Sequence, residues 1–237
     1  MTVDTNYPPP VTMLRELGQW LRHPRRLDPT GIRAPGAMRR LAVLTVLMIT
    51  GLLLVLLPVL GLWQSLFDLP APDAFGKLEP QVMIPVVIVI APVLEELLFR
   101  GWLTGRVRAL WLLACAAGIA VLLYANTQGM NPVAAGAGFL ALLIAMPLGW
   151  FFLRKKGTPG WFDAGFPAIF YLGAAGFALL HMANYPSFSV IALPLVLPQL
   201  WAGLVLGFIR MRIGLVASML AHALSNSAAL TVALLAS

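Results

Sequence analysis

Seven apolar runs, most of them long enough to cross a hydrocarbon core of about 30 Å, dominate this chain. They fall near residues 41–63, 81–99, 109–125, 133–153, 166–183, 189–209 and 213–235. In lipid every backbone N–H and C=O must be satisfied within the protein, so such runs close as helices; the alternating pattern of a barrel strand is absent. Of 237 residues, 60% are hydrophobic and 11% charged, where a soluble domain would carry roughly 25% charge. The fold expected is all-α: a polytopic transmembrane helix bundle over residues 41–237. The one cysteine, Cys115, lies inside an apolar run, so disulfides contribute nothing.

The net charge of +7 does not point to nucleic acid, because the basic residues sit in short clusters between apolar runs. Arg15, Arg22, Arg25, Arg26, Arg33, Arg39 and Arg40 precede the first run. Arg106 and Arg108 follow the second, Arg154, Lys155 and Lys156 the fourth, and Arg210 and Arg212 the sixth. The alternate connections are acidic (Asp68, Asp73 and Glu79, with one Lys77) or uncharged. Seven spans thus put every basic cluster on one face, which the positive-inside rule makes cytoplasmic along with the N-terminus. The expected location is a bacterial cytoplasmic membrane. Residues 1–40 form a cytoplasmic basic arm. Within it Met13, Leu14, Leu17, Trp20 and Leu21 share one helical face, which reads as a short amphipathic helix on the membrane surface, with a disordered arm as the alternative. Gly203 and Gly207 form a GxxxG in the sixth span, preceded by Pro194 and Pro198; close helix packing and a kink are expected there.

Charged groups at bilayer depth are expensive, so those that occur need partners or a task. Glu95 and Glu96 end the second run; neighbours on a helix point about 100° apart, so the two cannot share a face. Glu96 and Arg100 are spaced i, i+4 and can pair, which keeps Glu96 ionised and leaves Glu95 aimed elsewhere. His181 follows Phe177 at the same spacing, and Asn226 follows His222, with Ser218 on that face. Buried polar groups need partners, so convergence of these three helices is the simplest arrangement. Depth is consistent with it. If the second helix continues through Gly101 and Gly105 to Arg108, Glu95 lies roughly 20 Å from its end, at about 1.5 Å per residue. His181 lies roughly 22 Å from Phe166, and His222 and Asn226 roughly 15 and 21 Å from Arg212.

Glu-Glu-x-x-x-Arg (Glu95, Glu96, Arg100), Phe-x-x-x-His (Phe177, His181) and His-x-x-x-Asn (His222, Asn226), in that order on apolar helices, resemble the motifs of the CAAX prenyl protease and bacteriocin-processing family of intramembrane proteases, also called type II CAAX endopeptidases or Abi proteins. The resemblance runs from about Pro85 to Leu230. It implies an intramembrane endopeptidase that hydrolyses a peptide bond of a membrane-associated or lipidated protein substrate. Glu95 would activate water and His181 orient it or carry a proton. His222 and Asn226 would donate to the oxyanion, and Glu96 and Arg100 would support the first glutamate. The His-Glu-x-x-His helix of zinc peptidases is missing. No cofactor is required by these residues, although zinc held by Glu95, His181 and His222 is chemically reasonable. One departure stands out: the spans near 109–125 and 133–153 intervene between the glutamate helix and the Phe-x-x-x-His helix. They preserve the direction of His181 but could cover or reshape the substrate route. Two other readings fit buried Glu, His and Asn: a proton-coupled transporter and a non-catalytic membrane scaffold or immunity protein of the same family. The sequence shows no internal repeat of the transporter kind.

Overall fold

The computed structural model describes residues 8–73, 79–187 and 189–236; Lys77 lies outside them. Among the described residues every regular element is a helix. A short helix α1 (Pro10–Arg22) precedes seven helices long and apolar enough to cross a membrane: α2 (Ala37–Phe67), α3 (Gln81–Arg100), α4 (Val107–Thr127), α5 (Pro132–Phe152), α6 (Phe166–Asn184), α7 (Val190–Arg212) and α8 (Leu215–Leu235). The seven expected spans are all present, each with bounds within a few residues of the apolar runs.

The two central antiparallel helices, α6 and α7, approach closely because α7 is bare where α6 is bulky. A Cβ on Gly207 would collide with the Phe170 ring, and one on Gly203 would touch Ala174. The GxxxG is therefore spent on internal packing. The two prolines change helix type rather than kink one helix: Val190–Val196 is a 3-10 stretch, and the α-helix starts at Leu197 with Pro198 in its first turn. Around this pair, Leu41, Leu44 and Met48 of α2, Phe166 and Phe170 of α6, Leu206 and Ile209 of α7, and Ala217 and Ala221 of α8 form one buried cluster.

The arm's helix packs on the bundle. Its helix forms, but the apolar stripe turns onto protein: Met13, Leu17 and Trp20 are buried, and the Trp20 ring meets Phe166, Phe170 and Phe208. Burial against aromatic side chains satisfies the same apolar face that lipid would have taken. Polar contacts fix the position. Glu16 pairs with Arg40 and, at 2.9 Å, with Arg212. The Gly31 N–H donates to the Ile213 carbonyl at 2.9 Å, satisfying the end of α7. Arg26 reaches Asp163 at 2.7 Å, and that hydrogen bond holds the carboxyl below its ordinary range.

Of the two ends open to α3, the structure has the shorter. The helix ends at Arg100, and residues 101–104 form turns leading to Gly105 at φ +67°. A side chain there would strike Phe162 and Thr158. Within these turns Leu103 is buried, 3% exposed, and the partly buried Trp102 packs on Phe162. Glu95 therefore lies about 7.5 Å from the end of its helix, shallower than a helix continuing to Arg108 would place it.

Helices α4 and α5 pack chiefly on each other. Leu142 fills the space over Gly118, Leu122 that over Gly138, and Trp111 that over Gly149, donating its indole N–H to the Ala145 carbonyl at 2.9 Å. The packing makes a direct prediction. Gly207→Ile should lower stability by about 1–3 kcal/mol through overpacking against Phe170. Gly176→Ala, where a Cβ meets nothing within 4 Å, should leave the thermal midpoint of the detergent-solubilised protein unchanged.

Candidate active site

Three helices deliver the polar residues to one place. Glu95 and Glu96 sit in the last turns of α3 and diverge as adjacent helical residues must. The Glu96 side chain is fully buried, whereas that of Glu95 is 27% exposed. Arg100, one turn on and 3% exposed, pairs with Glu96 Oε1. The same oxygen lies 3.0 Å from His222 Nδ1 on α8, and the Ser218 hydroxyl is beside this carboxylate. The expected ion pair is present, and His222 joins it from the opposite side.

Glu95 Oε2 faces two imidazoles, at 3.6 Å from His222 Nε2 and 4.0 Å from His181 Nε2. His181 is held by a helix-end effect. The backbone tightens to 3-10 at His181, whose own N–H goes to Ala178, leaving the Phe177 carbonyl for the ring; Nδ1 takes it at 2.8 Å. With Nδ1 of each histidine committed to a carbonyl or a carboxylate, both present Nε2 toward Glu95. Separations of 3.6 and 4.0 Å exceed direct hydrogen bonds and suit a bridging water.

Phe177 supports the cluster from below. Its ring lies under the Arg100 guanidinium, 4.5 Å from carbon to centroid, and meets the edges of Phe99, His181 and His222. A cation over an aromatic face, out of water, is attracted by about 2 kcal/mol or more. Arg210, which sequence reading took only as a topology marker, donates from Nε to the Arg100 carbonyl at 2.9 Å. It caps the end of α3 where helices favour positive charge. Two acids and two arginines thus balance within the site, which lowers the cost of burying each.

Asn226 lies on the same wall but is partly engaged elsewhere. Residues Val86–Ile90 of α3 form a π-helical turn in which the Ala91 N–H reaches back to Val86. In that register the next donor should come from residue 92, a proline with no N–H. The stranded Val87 carbonyl is taken by Asn226 Nδ2 at 2.9 Å. Reading the register of the prolines could have exposed this demand; apolar periodicity could not.

Glu95, His181, His222 and Asn226 all line a cavity of about 780 Å³ between α2, α3, α6, α7 and α8. Helices α4 and α5 contribute nothing to its wall. The intervening pair therefore does not cover the site. A zinc ion was the one cofactor these residues could take. Their chemistry suits it, since each imidazole has its second nitrogen oriented by an acceptor. Ligand atoms around tetrahedral zinc sit about 3.3 Å apart; Glu95 Oε2 is 3.6 and 4.0 Å from the two Nε2 atoms, and among the described residues no group of three His, Cys, Asp or Glu side chains is gathered closely enough to hold a metal as they stand.

The sequence matches the family model of the type II CAAX prenyl endopeptidases, Rce1-like, over residues 77–162 and 156–228, together well over half of the chain. The chain belongs to this family. Its first matched stretch runs through α4 and α5, so that helical pair lies within the family match. Membership, with seven apolar helices, makes the chain an integral membrane protein of a protease family. No curated protein and no solved structure matches it.

Two predictions test this geometry. Arg100→Ala leaves Glu96 buried without its cation and should cost about 3–5 kcal/mol, seen as lost abundance or a lowered unfolding midpoint. Asn226→Ala strands the Val87 carbonyl and should cost about 1–3 kcal/mol. Adding Pro92→Ala restores a backbone donor and should recover part of that loss in a double-mutant cycle.

Proposed function

We propose that the protein is an endopeptidase that hydrolyses a peptide bond of a membrane-associated substrate, lipidated or not, using a water activated by Glu95. The observation that carries this reading is the half-buried Glu95 carboxylate facing two oriented imidazole nitrogens on the wall of a cavity, at distances one water would bridge.

In the proposed reaction Glu95 accepts a proton from that water as its oxygen attacks the scissile carbonyl carbon. The Glu96, Arg100 and His222 contacts keep Glu95 in position, so no reorganisation is needed at the moment of attack. The tetrahedral oxyanion receives hydrogen bonds from the Asn226 N–H not given to Val87, and from His222 when its Nε2 is protonated. His181, beside Glu95, carries the proton to the leaving nitrogen, and the C–N bond breaks. The proton leaves water and ends on the amine, so the glutamate is regenerated. Positioned proton transfer of this kind contributes about 10²–10⁴-fold, and one oxyanion donor about 10²–10³-fold.

The sequence shows no internal repeat of the kind that carriers rock about a central site, which favours the peptidase over the proton-coupled transporter.

Purified protein in lipid vesicles, given prenylated and unprenylated membrane peptides, should cut at least one class. Glu95→Gln, which keeps shape but removes the base, should lose at least about 10²-fold of kcat with an unchanged unfolding midpoint. Cleavage undiminished by Glu95→Gln, or proton-driven uptake with no cleavage by the parent protein, would overturn the reading. Chelation followed by metal analysis tests zinc separately.

A further inference from the structure

A polar side chain on a membrane-spanning helix is costly, so it faces protein or a cavity and has a partner or a task. Most polar side chains on the cavity wall have a partner inside the protein. Nδ1 of His181 is at the Phe177 carbonyl and Nδ1 of His222 at Glu96, while the Asn226 amide serves Val87. The Gln64 amide donates to the Pro70 carbonyl at 3.1 Å, and the Tyr185 hydroxyl reaches the Leu195 carbonyl at 3.5 Å.

Gln199 differs. It lines the same cavity from the first turn of the α-helical part of α7. Its Oε1 is buried, and neither end of its carboxamide has a hydrogen-bond partner among the described residues. A buried acceptor without a donor carries its desolvation cost with nothing to offset it. Methionine would fill the same space without that cost, so packing alone does not account for an amide here. Nor is the amide held in place. The last torsion of a glutamine is soft and nearly two-fold, so a half-turn brings Oε1 to the cavity.

The register of α6 against α7 places this amide beside the chemistry. Gly207 lies against Phe170 and Gly203 against Ala174. Carried one turn further along the antiparallel pair, that register sets Gln199 level with Ala178, about 4.5 Å along the axis from His181. An extended peptide advances about 3.3–3.6 Å per residue. A chain with its scissile carbonyl at Glu95 and His181 thus brings a backbone amide one or two residues away to Gln199. What Oε1 lacks is a donor, and every peptide residue except proline carries one in its backbone N–H.

We propose that Gln199 is a substrate-binding residue: its Oε1 accepts from a backbone N–H of the bound peptide, one or two residues from the scissile bond, and so holds that bond in register with Glu95. The contact reads the peptide backbone and is indifferent to the side chain at that position. The identity of the ligand rests on the peptidase reading; the unpartnered oxygen does not.

Two measurements test this, and the first needs no turnover. Gln199→Met keeps the length of the side chain and removes the orphaned acceptor, so the unfolding midpoint of the detergent-solubilised protein should hold or rise. A lowered midpoint would show that the amide serves the fold, and would overturn the proposal. For the second, whichever membrane peptide the parent protein cuts is resynthesised with a single ester replacing, in turn, each non-scissile amide within two residues of the cut. An ester lacks the N–H. At one position the parent should cut the ester with about tenfold lower kcat/KM than the amide, mainly through KM, because the contact is made in ground state and transition state alike. Gln199→Met should cut the all-amide peptide with about tenfold lower kcat/KM than the parent does, and should not distinguish the ester at that position. An ester effect at no position, or an equal one in both proteins, overturns the role of Gln199 and leaves the peptidase standing. A parent that cuts no peptide overturns the peptidase reading and the ligand with it, whatever the midpoint shows.

Discussion

A carboxylate with no exposed surface organises this molecule. Glu96 is tolerable inside a membrane protein only because Arg100 and His222 meet it, and each partner brings a helix with it. Arg100 sits at the end of α3, whose last carbonyl draws Arg210 from α7. Its guanidinium covers Phe177 of α6, and His222 ties in α8. Four helices are therefore fixed relative to one another by the needs of one buried charge. Ion pairs of this kind are poor sources of net stability, yet breaking one by removing a single partner is costly. The consequence for chemistry is positional. Because Glu96 is so constrained, the rotation of α3 is set and Glu95 is delivered to the cavity wall.

Much of this was legible in the chain. The apolar runs gave the seven spans, since length and hydropathy are sufficient where water is excluded. The i, i+4 relation of Glu96 and Arg100 gave their pairing, and the cost of burying polar side chains gave the convergence of α3, α6 and α8. What was not legible depends on backbone detail or on distant contacts. The π-helical turn at Val86–Ile90 hid the engagement of Asn226 with the Val87 carbonyl, because an apolar run has no pattern to betray its register. The stop at Arg100 followed from a turn whose Gly105 makes room for Phe162. The apolar stripe of α1 was correctly seen as a face, but a face seeks any apolar surface, and the sequence could not choose between lipid and the aromatic cluster of α6 and α7.

Irregular backbone recurs around the cavity and has a common logic. In α2 the Trp201 indole donates to the Met48 carbonyl just before the π-helical stretch Gly51–Leu56; in α3 the Asn226 amide serves Val87; in α6 the His181 ring serves Phe177. In α3 and α6 the departure from α-helical hydrogen bonding frees a carbonyl that a side chain then meets; in α2 the Met48 carbonyl accepts from both the Gly51 N–H and the Trp201 indole. Non-helical backbone is tolerated at membrane depth only where protein or a cavity surrounds it. Here such stretches line the cavity.

The helical pair α4 and α5 follows different rules from the rest of the bundle. Its side chains interlock with one another, leucine over glycine in both directions, and it lends no atom to the cavity wall. A segment so self-contained is insulated from the demands of chemistry. Its composition can drift along an evolutionary path of its own, provided paired positions drift together: bulk gained at Gly118 must be surrendered at Leu142, and likewise for Gly138 with Leu122. Co-substitution confined to those pairs, beside invariance around Glu96, is the historical trace such an architecture should leave.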